Sequence, residues 1–270
     1  MAKDKLIAIG CSYTEHYLDS MHTTTRLDFN RWPQRLAEKF DMECINLGKS
    51  GSGQEYMLSK LLDVMLFQKN IGLVVIMWSE FHRMDFQPIP EKISLRDRFP
   101  YGGWTALHPH RNNSETEKHF INRESRISLL EYNNTISAAM RSLRFFLIAQ
   151  KLLKDTPYFM VQGTEPLSAP MFLFREAGGG EESWSSWDKK RRRAIKQFIE
   201  SPITNEVKEQ NFIGWPVFKE IGGYCIDNFL DSIDPERTKL RVDAYDSHPN
   251  GAGHQHIAEM IYDKYEEVYI

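Results

Sequence analysis

One serine near the start of the chain and two residues near its end have the types that nucleophilic catalysis requires. Ser12 follows an apolar run at residues 6–9, and Asp246 and His248 lie close together in a polar segment. A serine hydroxyl is a weak nucleophile unless a base accepts its proton, and that base needs a carboxylate to orient it. The chain therefore supplies a nucleophile, an orienting acid and a base in the order Ser, Asp, His.

Other interpretations of these residues remain open. Ser12 in isolation is more typical of an ordinary turn residue that caps the next helix. Asp243 lies on the same segment as His248 and is the second candidate for the orienting carboxylate. In an extended loop the side chains of residues i and i+2 point the same way, so Asp246 and His248 can meet. We expect His254 to brace the loop or the final helix rather than to act in chemistry.

Alternating apolar and amphipathic segments predict the framework that positions these residues. Strands are predicted at residues 6–9, 43–47, 72–77, 158–162 and 240–242. Helices are predicted at residues 30–40 with Asn30 as the N-cap, at 54–68, 131–153 and 185–200, and from Pro249 and Asn250 onwards. Strands that alternate with helices imply a mostly parallel five-stranded sheet with helices on both faces. Ser12 then lies at the carboxyl edge, where such sheets bind ligands.

Three blocks in the chain resemble the SGNH (GDSL-type) hydrolase family. Residues 10–14 (Gly-Cys-Ser-Tyr-Thr) are similar to its Gly-Asp-Ser-Leu block, with cysteine in place of aspartate. Residues 46–51 (Asn-Leu-Gly-Lys-Ser-Gly) resemble its Asn-x-Gly-x-x-Gly block, and residues 246–249 (Asp-Ser-His-Pro) resemble its last block, Asp-x-x-His-Pro, with the acid one residue nearer. The resemblance implies a flavodoxin-like α/β/α fold. It also implies that Ser12, Asp246 and His248 are catalytic and that the backbone N–H groups of Ser12 and Gly51 form the oxyanion hole.

The third block departs from the family pattern. The family has Gly-x-Asn-Asp after its third strand, and the asparagine donates a hydrogen bond to the oxyanion. Here the strand runs into residues 78–83 (Trp-Ser-Glu-Phe-His-Arg), which contain no asparagine. We therefore expect Trp78, Glu80 and Arg83 to line the pocket instead.

The resemblance implies a serine esterase that hydrolyses a carboxylic ester through an acyl-enzyme, with an acetyl group on a carbohydrate as the favoured substrate. An acyltransferase is an alternative, because an alcohol can intercept the same acyl-enzyme. The second alternative is a non-catalytic carbohydrate-binding or structural protein that lost the oxyanion donor. The expected partner is a small-molecule or carbohydrate ester, no cofactor is required, and the sequence leaves the oligomeric state open.

Composition argues against several other classes of protein. The 270 residues include 34 basic and 37 acidic ones, a net charge of -3, whereas nucleic-acid binders are usually basic. No apolar stretch approaches the ~18 residues of a membrane span. The three cysteines have no Cys-x-x-Cys spacing and are expected to be reduced, and with no sign of a signal peptide we expect a cytoplasmic protein.

The histidines do not form a convincing metal-binding pattern. His248, His254 and His256, or His108 and His110, lack both a matched carboxylate and a helical i, i+4 pair. We therefore expect no metal site. The whole chain, residues 1–270, is predicted to form one domain, with long insertions at about residues 86–126 and 163–211 that cap the site.

Overall fold

The computed structural model describes residues 4–16, 27–86, 104–107, 134–168, 181–243 and 246–270. Its strands are β1 (Lys5–Gly10), β2 (Glu43–Gly48), β3 (Ile71–Trp78), β4 (Met84–Phe86), β5 (Thr105–Leu107), β6 (Tyr158–Gln162) and β7 (Phe212–Ile213). Its α-helices are α1 (Trp32–Lys39), α2 (Gln54–Phe67), α3 (Thr135–Leu152), α4 (Glu181–Glu200), α5 (Ile226–Ile233) and α6 (Gly251–Tyr269). Short 3-10 helices lie at Pro202–Glu206, Glu209–Asn211 and Lys219–Ile221.

Five of these strands form one parallel sheet in the order β2-β1-β3-β6-β7. Gly10 at the end of β1 is level with Gly48 of β2 and Met77 of β3, so the carboxyl ends of these strands lie side by side. The chain moves from β1 outwards to β2 and returns to β3 on the other side. Doubly wound folds bind ligands in the crevice outside such a reversal. The prediction of a three-layer α/β/α fold with a mostly parallel five-stranded sheet is confirmed.

The central strands are buried on both faces, as parallel strands between two layers of helices must be. Every residue of β1 after Lys5 and residues 73–78 of β3 are buried, and both runs are almost wholly apolar. Helices α1 and α6 pack against each other, and Phe40 just after α1 contacts Tyr262 and Tyr265 with ring centroids 5.1 and 4.6 Å apart. Helix α3 packs between α2 and α4.

The prediction of the fifth strand at residues 240–242 is wrong. The fifth strand of the sheet is the two-residue β7, which pairs with β6. Arg241 instead forms an isolated antiparallel bridge with Pro249, and the N–H of Val242 donates to the carbonyl of His248 at 2.8 Å. This segment is apolar enough to resemble a strand, but its backbone groups bond to the loop that carries His248 and not to the sheet.

The starts of two helices can be compared with the predicted caps. Asn250 is the N-cap of α6, where its Oδ1 accepts two N–H groups of the first turn, each at 3.0 Å, so the predicted start of this helix is confirmed. Asn30 is not the N-cap of α1, because Arg31 occupies that position. The amide of Asn30 donates to Glu38 at 3.1 Å instead, on the surface of the helix.

The two segments predicted as insertions are described only in part. Residues 87–103 and 108–133 of the first lie outside the described residues, while β4 and β5 pair as a separate antiparallel ribbon. The second contains α4, whose Phe198 contacts Phe81 with ring centroids 6.2 Å apart, so this later part belongs to the packed framework. Among the described residues, no helix is long and apolar enough to cross a membrane.

Candidate active site

Ser12, His248 and Asp246 form a continuous chain of polar contacts at the carboxyl edge of the sheet. Ser12 Oγ lies 2.8 Å from Nε2 of His248, and Nδ1 of the same ring lies 2.5 Å from Oδ1 of Asp246. The side chain of His248 is 25% exposed, whereas that of Asp246 is 2% exposed. The carboxylate of Asp246 is therefore shielded from water, whereas the imidazole of His248 reaches solvent. In this arrangement Asp246 can hold the proton on Nδ1 of His248 while Nε2 accepts a proton from Ser12.

The turn after β1 presents Ser12 because the chain reverses there. The carbonyl of Cys11 accepts the N–H groups of Thr14 and Glu15 at 2.9 and 3.0 Å. A Cβ on Gly10 would lie 2.2 Å from Oγ1 of Thr14, so only glycine allows this close approach. The result is a tight turn directly at the end of the strand, with Ser12 at its outer side.

Asp246 and Asp243 differ in how they contact the loop of His248. Asp246 contacts the ring of His248 and also accepts the backbone N–H of His248 at 3.1 Å. Asp243, the second candidate, accepts the backbone N–H of Asp246 through Oδ1 at 3.0 Å. Asp243 therefore stabilises the backbone of the loop. The spacing between Asp246 and His248 is one residue shorter than in the family, and Asp246 still reaches the ring of His248.

Asn46 of the second block fastens the end of β2 to the turn that carries Ser12. Its Nδ2 donates to the carbonyl of Thr14 at 2.6 Å, and its Oδ1 accepts the N–H of Gly48 at 2.9 Å. The N–H of Lys49 donates to the carbonyl of Gly10 at 2.9 Å. These bonds hold the loop after β2 beside the end of β1.

Two glycines of that loop have different surroundings. Gly51 has φ of +75°, in the left-handed region that favours glycine. The next residue, Ser52, donates from its hydroxyl to the carbonyl of Gly10 at 3.2 Å, which keeps Gly51 beside the turn of Ser12. The N–H of Gly53 donates to the buried carboxylate of Asp85 at 2.8 Å. The N–H of Gly53 is therefore directed at a protein acceptor.

The third block is more buried than the sequence predicted. Trp78 is 0% exposed and its ring packs 5.2 Å from that of Phe146, so it belongs to the core and the expectation that it lines an accessible pocket is wrong. Glu80 and Arg83 are also buried, with Nε of Arg83 3.7 Å from Oε2 of Glu80. Nη1 of Arg83 donates to the carbonyl of Ser52 at 3.2 Å, so this pair braces the second block.

Three polar residues that the sequence analysis missed complete this brace. The hydroxyl of Ser79 donates to the carbonyl of Ser52 at 2.9 Å. The amides of Gln54 and Gln162 donate to the carbonyl of Ser79 at 3.3 and 3.0 Å. The available signal was Gln162 itself, a polar residue at the end of a fully apolar strand, because a buried amide needs partners.

His254 has the bracing role expected of it. It is 1% exposed, and its Nδ1 accepts the backbone N–H of Trp32 at 3.3 Å, which joins α6 to the start of α1. Burial, followed by the nearby charges of Arg31 and Arg35, holds the pKa of His254 well below its usual value. A neutral imidazole is the form that can accept this hydrogen bond.

A metal centre has no support in the part of the chain that can be described. There, no three His, Cys, Asp or Glu side chains are grouped as ligands would be. His108 and His110, one of the two sets considered from the sequence, lie outside the described residues.

Comparison with known proteins gives distant structural likenesses. No family model matches the chain, and no curated protein matches it significantly. One similar solved structure is a member of the lipolytic protein G-D-S-L family from Veillonella parvula, 12% identical, with 98% of this chain and 97% of that chain covered and a TM-score of 0.44. Another is an acetylxylan esterase from Geobacillus stearothermophilus, 14% identical, with 97% and 94% covered and a TM-score of 0.41.

The first of these descriptions names the same G-D-S-L family that the three sequence blocks resemble.

Proposed function

We propose that the protein is a serine esterase that hydrolyses a carboxylic ester through an acyl-enzyme. The observation that carries the proposal is the contact chain from Ser12 Oγ to His248 at 2.8 Å and from His248 to Asp246 at 2.5 Å. These residues come from opposite ends of the sequence and meet where a doubly wound sheet binds ligands. An ordinary turn serine has no need of a base and an orienting acid.

The steps of the reaction follow from this geometry. Ser12 Oγ attacks the ester carbonyl carbon while its proton passes to Nε2 of His248, which gives a tetrahedral intermediate. His248 then donates that proton to the departing alcohol as the ester C–O bond breaks, leaving the acyl group on Ser12. Water attacks the acyl-enzyme with His248 again as the base, and the carboxylic acid leaves as Ser12 regains its proton. Asp246 stabilises the imidazolium in both halves.

The oxyanion of the tetrahedral intermediate is assigned to the backbone N–H groups of Ser12 and Gly51. The bond from Ser52 to Gly10 supports this assignment because it holds the loop next to the turn of Ser12. The positive φ of Gly51 is consistent with a glycine whose backbone approaches the substrate closely. The family's asparagine donor has no counterpart in residues 78–83, and the side chains of Ser79 and Arg83 donate to the carbonyl of Ser52 instead. One missing donor typically costs ~10²–10³ in kcat, so we expect a slow enzyme.

The substrate is proposed from the sequence resemblance alone. That resemblance favours a small acyl group, with an acetyl ester of a carbohydrate as the first compound to test. An acetylated xylooligosaccharide and a nitrophenyl acetate together separate sugar recognition from simple ester cleavage. Release of free acetate in water distinguishes hydrolysis from acyl transfer, in which a sugar alcohol would carry the acetyl group away.

A fluorophosphonate probe followed by intact-mass measurement tests the nucleophile. The wild-type protein should gain one phosphonyl group, and peptide mapping should place it on Ser12, because only a base-activated hydroxyl reacts at neutral pH. Ser50→Ala is the matched control, since Ser50 is an exposed serine of the neighbouring loop and should label normally after substitution. Equal labelling of Ser12→Ala and the wild type would refute the assignment.

A further inference from the structure

Tyr13 connects the nucleophile's turn to the base and to a carboxylate behind it. It follows Ser12 directly and is 4% exposed. Its ring meets the ring of His248 edge-on, with centroids 5.3 Å apart and an interplanar angle of 68°. Its hydroxyl donates to Oδ1 of Asp227, in the first turn of α5, at 2.7 Å. The side chain of Tyr13 therefore spans the distance from the Ser12 turn to α5.

Arg241 connects the loop of His248 to the same carboxylate oxygen. Its side chain is 1% exposed, and its Nη1 donates to Oδ1 of Asp227 at 2.9 Å and to the carbonyl of Ser247 at 3.0 Å. Ser247 is the residue between Asp246 and His248. The guanidinium thus holds the backbone of the acid–base loop at its middle.

We propose that Asp227 is a positioning residue, which holds the Ser12 turn and the His248 loop at the separation that proton transfer needs. Oδ1 of Asp227 accepts a hydrogen bond from Tyr13 of the Ser12 turn and another from Arg241 of the His248 loop, so a single oxygen connects the two segments. The inference rests on the proposed function, because the separation that it explains is that between nucleophile and base.

The protonation states of Tyr13 and Arg241 suit lasting hydrogen bonds to Asp227. Burial and the charge of Asp227 raise the pKa of Tyr13 well above its usual value, so its hydroxyl remains a donor. Burial alone disfavours the charged guanidinium, but Asp227 and the other neighbours of Arg241 raise its pKa above the usual value. The charge of Asp227 is therefore matched by a cation that does not titrate.

Arg241 has a second carboxylate partner, which provides the control. Its Nη2 donates to Oδ1 of Asp231, one turn further along α5, at 2.8 Å. Asp231 therefore shares the guanidinium with Asp227, and the bond from Tyr13 ends on Asp227. Asp231→Asn removes a charge from the same ion pair and leaves the connection between the two segments in place.

A double-mutant cycle on Tyr13→Phe and Arg241→Lys, with nitrophenyl acetate as substrate, tests the proposal. Each single variant should lower kcat by roughly tenfold at nearly constant KM, since small misplacements of catalytic groups are costly and substrate contacts are not involved. The double variant should be no slower than the worse single one, because both act through the same atom. Effects that multiply would overturn the proposal.

Asp227→Asn and Asp231→Asn separate positioning from stability. Both should lower the melting temperature, but Asp227→Asn should lose roughly tenfold in kcat while Asp231→Asn stays within about threefold of the wild type. Equal losses in the two variants would show that Asp227 acts on folding alone and would overturn the proposal.

A spectroscopic readout keeps this test separate from the esterase proposal. The proton between His248 Nδ1 and Asp246 should give a strongly downfield NMR signal in the wild type and in Asp231→Asn, and this signal should broaden or vanish in Asp227→Asn. An inactive, unlabelled wild type with this pattern would refute the esterase and retain the positioning role. An unchanged signal in Asp227→Asn would refute the positioning role whatever the activity.

Discussion

The side chain of Asn46 holds the carbonyl of Thr14 at 2.6 Å and so fixes the far side of the turn that presents Ser12. The two residues belong to neighbouring strand ends and are separated by 32 positions in the chain. Strands β1 and β2 would pair without this bond, because their backbone ladder runs through Gly10 and Gly48. The bond therefore controls the turn rather than the sheet.

Asn46→Asp should lower kcat more than it lowers stability. The substitution replaces the donor by a carboxylate oxygen that faces the carbonyl of Thr14, so the turn must shift. We expect a tenfold or greater loss of kcat and a loss of about 1–2 kcal/mol in the free energy of unfolding. Asn30→Asp is the control, because Asn30 loses only an exposed contact with Glu38. Similar kinetics in the two variants would contradict the role given to Asn46.

Gly51→Ala and Gly53→Ala should fail in different ways. Alanine at position 51 must adopt φ of +75° and would displace the N–H assigned to the oxyanion, so kcat/KM should fall more than tenfold, or ~1.4 kcal/mol. A Cβ at Gly53 would lie 2.7 Å from Oδ2 of Asp85, which should destabilise the fold while leaving kcat of the folded enzyme largely intact. Steady-state kinetics with thermal melts distinguishes them, and a reversed pattern would move the oxyanion site to Gly53.

Glu80→Asn should not accelerate the reaction. Glu80 lies in the block where the resembled family has its oxyanion asparagine, but it is 6% exposed and is paired with Arg83. An amide there should lose the ion pair and leave Arg83 uncompensated, so we expect lower stability and no gain in kcat. A rate increase on nitrophenyl acetate would show that position 80 faces the substrate after all.

Asp85→Asn should change how stability depends on pH. Burial raises the pKa of Asp85 to about 7, although the N–H groups of Tyr56 and Gly53 favour the charged form. In the unfolded chain this pKa is about 3.9, so the folded protein binds the proton more tightly, and the stability from that proton is complete below about pH 4 and lost as pH rises through about 7.

The asparagine variant keeps an acceptor oxygen for those N–H groups and cannot titrate. Its unfolding free energy relative to the wild type should therefore rise by roughly 2–4 kcal/mol between about pH 4 and 7 and then level off. Urea denaturation at a series of pH values measures this difference. Asp188→Asn, at the surface, should show a nearly constant difference, and a flat curve for Asp85→Asn would show that Asp85 is ionised throughout.

The parts of the fold and site that the sequence predicted are those in which the signal is local. β1 and β3 are continuous apolar runs, and Asp246 and His248 stand two residues apart in a polar loop, so each could be recognised without knowledge of its partners. β7 could not be recognised, because two residues show no periodicity, and residues 240–242 resembled a strand more closely.

Long-range polar contacts have no such local signal. Tyr13 and Asp227 are 214 residues apart, and neither lies in an unusual sequence context. Trp78 was misassigned for a related reason: the motif places it after the strand, whereas β3 continues through it and packs it against α3. The roles of Tyr13 and Trp78 both depend on burial, and the sequence pattern alone does not show which side chains are buried.

Asn250 links the loop of His248 to the final helix, so that the loop and the start of the helix form one structural unit. Its amide donates to the carbonyls of Lys239 and Arg241, both at 2.8 Å, while its oxygen caps α6, so one side chain ties both sides of the His248 loop to the helix. Loss of the Asn250 side chain would therefore disturb the position of His248 and the first turn of α6 together.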